Sequence, residues 1–268
     1  MSYVGNPGSN KIITTDASGG LLPSTTGSGV SLSGGVLSLG GNLPTVGDYT
    51  WVPAGSGPWS NQGTAGAAVA TAGTITSADS AGLWPSGRKG IRGYATNSQS
   101  DAVFNASNTF TAAWQSSSFT IEAYMQIDYN LGVIGGEAYP LVFNDFGLGL
   151  NAIYLKCGTA SQTGFTFEVR RAAGSTTGSI ITGIANNRPI HLAVVLDRTN
   201  VSAVTATAYV DGLAISTISL GAFAAFSNPF TQFQLLLGGA GVVGWASLTN
   251  SAKTAAQIRA NTLLLKAA

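Results

Sequence analysis

The chain is 268 residues long with a formal net charge of +1, and charged residues make up only 9% of it, against roughly 25% in ordinary soluble proteins. So little net charge supplies no long-range field, which excludes electrostatic capture of nucleic acid or of an acidic membrane surface. The length suits one large all-β domain with an appendage or two small domains, and the 36 glycines, beside many Ser, Thr and Ala, imply a surface of small polar groups.

The N-terminal MSYVGNPGSNK lacks a charged-then-apolar leader, and no run of about 18 apolar residues occurs anywhere. The expectation is synthesis in a host cytoplasm without a signal peptide, and no membrane insertion. Residues 1–28 carry only two small apolar clusters, Ile12-Ile13 and Leu21-Leu22, too few to fold alone. Two six-residue units follow, Gly29-Val30-Ser31-Leu32-Ser33-Gly34 and Gly35-Val36-Leu37-Ser38-Leu39-Gly40. Two rungs make no core, so Val30, Leu32, Val36, Leu37 and Leu39 are expected to be covered by other copies or by an anchoring surface. This phrase resembles the short β-repeats of bacteriophage tail-fibre and head-fibre proteins. The resemblance implies an arm over residues 1–46 that anchors the chain to other virion proteins and closes it as a homotrimer.

From Asp48 the texture changes to short apolar runs between turn residues, which sets the second domain at residues 47–268. Trp51 to Ala65, rich in Pro and Gly, reads as loop. The basic cluster Arg88-Lys89-Arg92 reads as a solvated loop as well. Strict alternation begins at Ser118: Phe119, Ile121, Ala123, Met125 and Ile127 share one face, and Thr120, Glu122, Tyr124, Gln126 and Asp128 the other. Further strands are expected at 139–143, 152–156, 165–170, 179–184, 192–196, 204–210, 213–219, 231–237 and 242–248. Asp211-Gly212 supplies the two positive-φ positions of a type I′ turn and joins two of them as a hairpin. Thr254-Ala255-Ala256-Gln257 is a capping box that opens a short C-terminal helix. The fold class read from this pattern is an all-β antiparallel β-sandwich jelly roll with one short helix at its end.

Several of these stretches resemble laminin G-like, concanavalin A-like sandwiches. The matching phrases are Phe119-Thr120-Ile121-Glu122-Ala123-Tyr124, Ile190-His191-Leu192-Ala193-Val194, Tyr209-Val210-Asp211-Gly212 and Lys253-Thr254-Ala255-Ala256-Gln257-Ile258. Trp59-Ser60-Asn61-Gln62-Gly63 is similar to the family's opening, whereas Pro189-Ile190 stands where the family usually places an aromatic before the histidine. The resemblance implies a binding fold whose rim loops hold a sugar or a calcium ion.

The acidic side chains do not present the Glu-x-Asp-x-x-Glu spacing of a glucanase, and Glu122 and Asp128 lie roughly 20 Å apart along an extended strand. A glycosidase is therefore disfavoured. The single histidine, His191, opens the most apolar strand and reads as structural, while Cys157 has no second thiol for a disulfide, a redox pair or a zinc site. Asp145-Phe146-Gly147 reads as a turn, lacking every other kinase motif. Asn144, Asp145, Asp197 and Asn200 are candidate oxygens for calcium, but the ligand spacing of legume lectins is missing. For sugar binding the candidates are Trp84, Trp114, Tyr129 and Tyr139 as stacking platforms, with Asn144 and Asp145 as hydroxyl acceptors. The chain thus reads as a non-enzymatic structural virion protein, a head fibre, decoration or tail-fibre component, displaying a lectin-like sandwich with host glycan as its partner. The competing reading is a stand-alone carbohydrate-binding module used for adhesion.

Overall fold

The computed structural model describes residues 30–33, 36–39, 43, 44, 46–54, 57–71, 75–77, 83, 84, 90–94, 102–107, 110, 113–128, 137–145, 151–158, 164–171, 175–182, 184 and 187–268. The chain divides into two units, Met1–Asn42 and Leu43–Ala268. In the first, β1 (Val30–Ser33) and β2 (Val36–Leu39) pair antiparallel with Val30 opposite Leu39, so the two six-residue units form one hairpin. The second unit begins before the expected residue 47 because Leu43 packs against a buried cluster of the larger unit.

That larger unit is a sandwich of two antiparallel sheets. Its strands are β3 (Tyr49–Trp51), β4 (Trp59–Ser60), β5 (Val69–Thr71), β6 (Ile75–Ser77), β7 (Ile91–Tyr94), β8 (Ala102–Ser107), β9 (Phe119–Ile127), β10 (Glu137–Asn144), β11 (Ala152–Gly158), β12 (Gly164–Arg171), β13 (Ser175–Thr182), β14 (Pro189–Asp197), β15 (Val204–Val210), β16 (Leu213–Gly221), β17 (Gln232–Leu237) and β18 (Ala240–Thr249). The first sheet runs β16-β15-β14-β9-β18-β7-β6, and β18 is long enough to hold β7 along its first half and β3 along its second. The second sheet runs β13-β12-β11-β10-β17-β8-β5-β4.

The alternation of β9 sends Phe119, Ile121, Ala123, Met125 and Ile127 into the interior, where Leu192, Val194 and Leu196 of β14 and Val210 of β15 join them. Aromatic rings span the space between the sheets. Trp51 and Phe104 lie 5.7 Å apart, Phe104 and Phe233 5.8 Å, and Phe143 stacks on Phe230 at 4.2 Å. The β15–β16 hairpin turns on Asp211 and Gly212, with φ of 53° and 81°, and Val210 faces Leu213 across it. Helix α2 (Ala255–Ala267) starts at the expected box: Thr254 accepts from the Gln257 amide and Gln257 reaches back to the Thr254 amide.

Several expectations need correction. Trp51–Ala65 is not all loop, since Trp51 ends β3 and Trp59-Ser60 forms β4, with both indoles buried in the core. Between them and β5 the chain folds around Asn61, whose Oδ1 accepts from Thr50 N and Gly63 N, each at 2.7 Å. A Cβ at Gly63 would stand 2.3 Å from the Asp48 carbonyl, so that position admits only glycine without a shift. The strand expected at 179–184 begins at Ser175, because pairing with β12 rather than apolar content defines it. A one-turn helix, α1 (Ala113–Ser116), precedes β9, and it seats Trp114 in the aromatic interior.

Candidate functional site

β10 ends at Asn144, and the chain turns at Asp145 before returning at Asn151 into β11. The turn is closed by Asp145 N donating to Asn151 O at 3.1 Å. Three residues of the connection between β16 and β17 come to the same rim: Ser227, Asn228 and Thr231. Aromatic anchors hold that connection in place, because Phe226 and Phe230 are buried and Phe230 lies on Phe143. Arg198 braces it further, with its guanidinium 4.5 Å from the Phe223 ring centre and donating to Phe223 O at 3.1 Å and to Gln115 O. Burial pushes the Arg198 pKa down from the usual guanidinium range.

The Asp145 carboxylate is the hub of the rim. Its Oδ2 accepts from Asn228 Nδ2 at 3.0 Å, from Asn151 N at 3.2 Å and from Asn151 Nδ2 at 3.4 Å. Asn151 Oδ1 in turn accepts from Ser227 Oγ at 3.2 Å, and Thr231 Oγ1 donates to the Asp145 carbonyl. All of these side-chain donors are neutral. Beside the hub, the Asn144 side chain is fully buried, and neither its amide nitrogen nor its oxygen has a hydrogen-bond partner. With no partner among the described residues, a buried amide carries a desolvation cost on the order of 1–3 kcal/mol.

Asn144 lies opposite Gln232 on β17 and opposite Ala152 on β11. In the next row of that face, Gln234 stands between Asn105 and Val142, and Val142 faces Tyr154. This outer face of the second sheet therefore carries carboxamides and phenols. Tyr139 and Tyr154 meet edge to face at 5.6 Å, Tyr154 Oη donates to Glu168, and Lys156 Nζ is 3.0 Å from Glu168 Oε1. Burial, then the Glu168 carboxylate, holds the Tyr154 phenol above its usual range.

The expected site residues separate into groups. Asn144, Asp145 and Tyr139 share the second sheet, with the first two at the rim. Trp84 and Trp114 are each 2% exposed, so neither offers a ring face to a sugar, and the platform reading of both is withdrawn. Trp84 packs on Tyr124 with ring centres 4.5 Å apart, and Trp114 sits among Phe110, Phe119 and Phe143. Tyr129 and the side chains of Val30, Leu32, Val36, Leu37 and Leu39 lie outside the described residues. Asn151 and Asn228 belong to the rim but escaped the sequence reading; Asn228-Pro229 was legible as a turn, yet its meeting with Asp145 is long-range.

Of the calcium candidates, Asp197 Oδ1 accepts from Thr199 N at 2.9 Å and Asn200 Oδ1 from Ser202 N at 3.0 Å, so each ties its own loop. Among the described residues, no three His, Cys, Asp or Glu side chains gather in a way that would hold a metal ion.

A second polar cluster lies on the outer face of the first sheet, beneath α2. Glu122 of β9 is fully buried and receives Lys253 Nζ on Oε2 and Asn261 Nδ2 on Oε1, the latter at 2.8 Å. His191 Nε2 is 3.4 Å from Oε1, within ion-pair range but without hydrogen-bond alignment, and His191 Nδ1 is 2.7 Å from Thr262 Oγ1. Burial raises the Glu122 pKa, but His191 and Lys253 together outweigh it and bring the group to about 2. Thr262, His191 and Glu122 stand in the order of a hydrolytic triad. They are nevertheless sealed under the helix, and the Thr262 hydroxyl donates to Ile258 O at 2.9 Å, so this arrangement serves structure.

No protein-family model and no curated protein matches the chain. Its fold is shared by solved structures, among them a Trypanosoma rangeli sialidase in complex with the inhibitor DANA, at 16% identity and TM-score 0.57, covering 83% of this chain and 33% of that one. The binding domain of botulinum neurotoxin DC in complex with rat synaptotagmin II matches at 9% identity and TM-score 0.57, covering 81% and 51%. The binding domain of Paraclostridial Mosquitocidal Protein 1 matches at 12% identity and TM-score 0.56, covering 80% and 51%. The chain thus spans about a third of the sialidase and about half of each toxin chain. The likeness is one of fold, an antiparallel β-sandwich.

Proposed function

We propose that the chain is a bacteriophage virion component whose N-terminal arm anchors and trimerises it, and whose sandwich binds host glycan at the rim around Asp145. The observation that supports the binding part is the half-buried Asp145 carboxylate at the rim, ringed by the carboxamides and hydroxyls of Asn151, Ser227, Asn228 and Thr231. Sugar hydroxyls both donate and accept, so they can replace protein donors on the half-buried Asp145 carboxylate. Two of the three fold neighbours named above are toxin binding domains and the third is a sialidase bound to an inhibitor, which favours binding as a use of this fold. Catalysis is not part of the proposal, since Asp145 is the one carboxylate among the rim residues described.

The arm is proposed as the anchor because its two hydrophobic units form a single hairpin, too little for a core of its own. Binding through neutral groups is weak per site, with Kd roughly millimolar, and a trimer strengthens it by avidity. It changes little with salt, because the chain has almost no net charge to screen.

A glycan array probed with the full-length protein tests the proposal, with Asn228→Ala and Asp145→Ala as the variants. Signal on host surface polysaccharides that both variants lose, and that added salt leaves in place, is the expected result. Silence of the parent across those polysaccharides overturns the glycan reading and leaves the structural role. Light scattering on the full chain and on one lacking residues 1–46 addresses the arm: a full-length monomer at micromolar concentration rules out the trimer.

A further inference from the structure

The cluster beneath α2 borders a cavity of about 240 Å³ lined by Val46, Gly47, Thr249, Lys253, Gln257 and Asn261, among others. Two of those residues also touch the buried carboxylate behind it. Lys253 Nζ occupies one oxygen of Glu122 and Asn261 Nδ2 the other, so an amine and a carboxamide are held against a single acid–base group. Glu122 is fully buried and the Lys253 side chain is only 14% exposed. Water has little access to Glu122, while Lys253 and Asn261 line the cavity.

We propose that Lys253 and Asn261 are the partners of an intramolecular isopeptide bond whose formation Glu122 assists. The ammonium of Lys253 passes a proton to Glu122, and the freed Nζ lone pair attacks Asn261 Cγ. A C–N bond forms while the carbonyl π pair moves onto Oδ1, where the protonated Glu122 donates to it. The surplus proton on Nζ then travels through Glu122 to Nδ2, and the Cγ–Nδ2 bond breaks with its electron pair leaving on nitrogen. The Oδ1 lone pair re-forms the carbonyl as ammonia leaves, and the Oδ1 proton passes to the ammonia, so one ammonium is consumed and one ammonium is released, and Glu122 ends as it began. No oxidant, reductant or co-reactant is needed.

Three features favour this pair over others. Placing nucleophile and acyl group on one carboxylate turns a bimolecular aminolysis into an effectively unimolecular step. A positioned carboxyl supplies both the base and the acid that an unactivated amide requires. Gln257 is the other carboxamide at the cavity, but its Oε1 is engaged by Thr254 N at 2.8 Å in the capping box, which leaves Asn261 as the acyl donor. The cavity gives the ammonia a way out. Against the reaction stands the ionised resting pair, since Glu122 is held near pKa 2 by His191 and Lys253. The bond forms once per molecule.

Intact mass measurement of the purified full chain tests the assignment independently of any glycan. The parent is expected to be lighter than its sequence by one ammonia. Trypsin cuts at Arg259, between the two residues, yet residues 260–266 should stay attached to the peptide that contains Lys253, as a branched species. Lys253→Arg, which keeps the charge on Glu122, and Glu122→Gln should both run at full sequence mass. A folded parent that stays at full mass after long incubation overturns the proposal. So does an ammonia loss that persists in Lys253→Arg, because the nitrogen must then come from elsewhere. Should Glu122→Gln fail to fold, the presence or absence of the branched peptide in the parent still decides.

Discussion

The two carboxylates that organise this sandwich are supported in opposite ways. Asp145 sits half-buried at the rim and is held by backbone and carboxamide N–H groups. Glu122 is fully buried beneath α2, and it has an ammonium on one oxygen and a histidine ring nearby. The difference follows from solvent. Where water reaches, solvent and hydrogen bonds share in stabilising a carboxylate; where it does not, a nearby opposite charge offsets the desolvation cost. A rim carboxylate of the first kind can exchange a protein donor for a ligand hydroxyl. The second kind is fixed, and removing its support damages the fold.

A carboxylate with neither form of support is the extreme case, and Val194→Asp creates it. Val194 is wholly buried among apolar side chains of both sheets. The variant is expected to lose more than about 4 kcal/mol, enough to leave much of the chain unfolded, as read by urea denaturation. A parent-like midpoint would mean that β14 presents the other face to the core.

Removing the cation from Glu122 comes next in size. Relative to the chain whose Lys253 is still an amine, Lys253→Met should cost about 3 to 5 kcal/mol by stranding a buried charge, whereas Asn228→Ala at Asp145 should cost about 1 kcal/mol. Equal losses in the two variants would erase the distinction between the clusters. Acid offers a second reading of the same point. The folded pKa of Glu122, about 2, lies below its ordinary 4.5, so its contribution is fully present above pH 4.5 and is lost as pH falls towards 2. The shift corresponds to about 3 kcal/mol at most. Melting temperature followed across that window should fall more steeply for the parent than for Glu122→Gln; parallel curves would show that the pair contributes nothing.

Much of this architecture was legible from β9 onward, where apolar alternation and the Asp211-Gly212 turn state the strands locally. The stretch from Tyr49 to Ser107 was not, because strands such as Trp59-Ser60 and Val69–Thr71 are too short and too rich in small residues for a period to emerge. At the rim, Asn144 and Asp145 could be picked out as polar residues ending an apolar strand. Asn228 could not be connected to them, since 83 residues separate it from Asp145 and no local pattern encodes that meeting. The same holds for Glu122, read as a surface position on an alternating strand. Lys253 and Asn261, 131 and 139 residues further on, cover it by way of α2.

The smallest expected change has the opposite sign, and it separates structure from function at the rim. Asn144 is buried with both polar atoms unpartnered among the described residues, a condition that costs stability. Asn144→Leu removes the two orphaned atoms at similar volume. Because the amide is sealed inside the fold, the variant should be as stable as the parent or more so, by about 1 kcal/mol, while glycan retention at Asp145 is kept. Its neighbour gives the contrast, since Asp145→Ala should lose both stability and binding by releasing Asn151 and Asn228 together. Thermal denaturation and the glycan array, run on the same two proteins, supply both readings. A destabilised Asn144→Leu would place the amide in the fold's own hydrogen bonding, and a loss of binding in that variant would show that Asn144 shapes the rim from beneath.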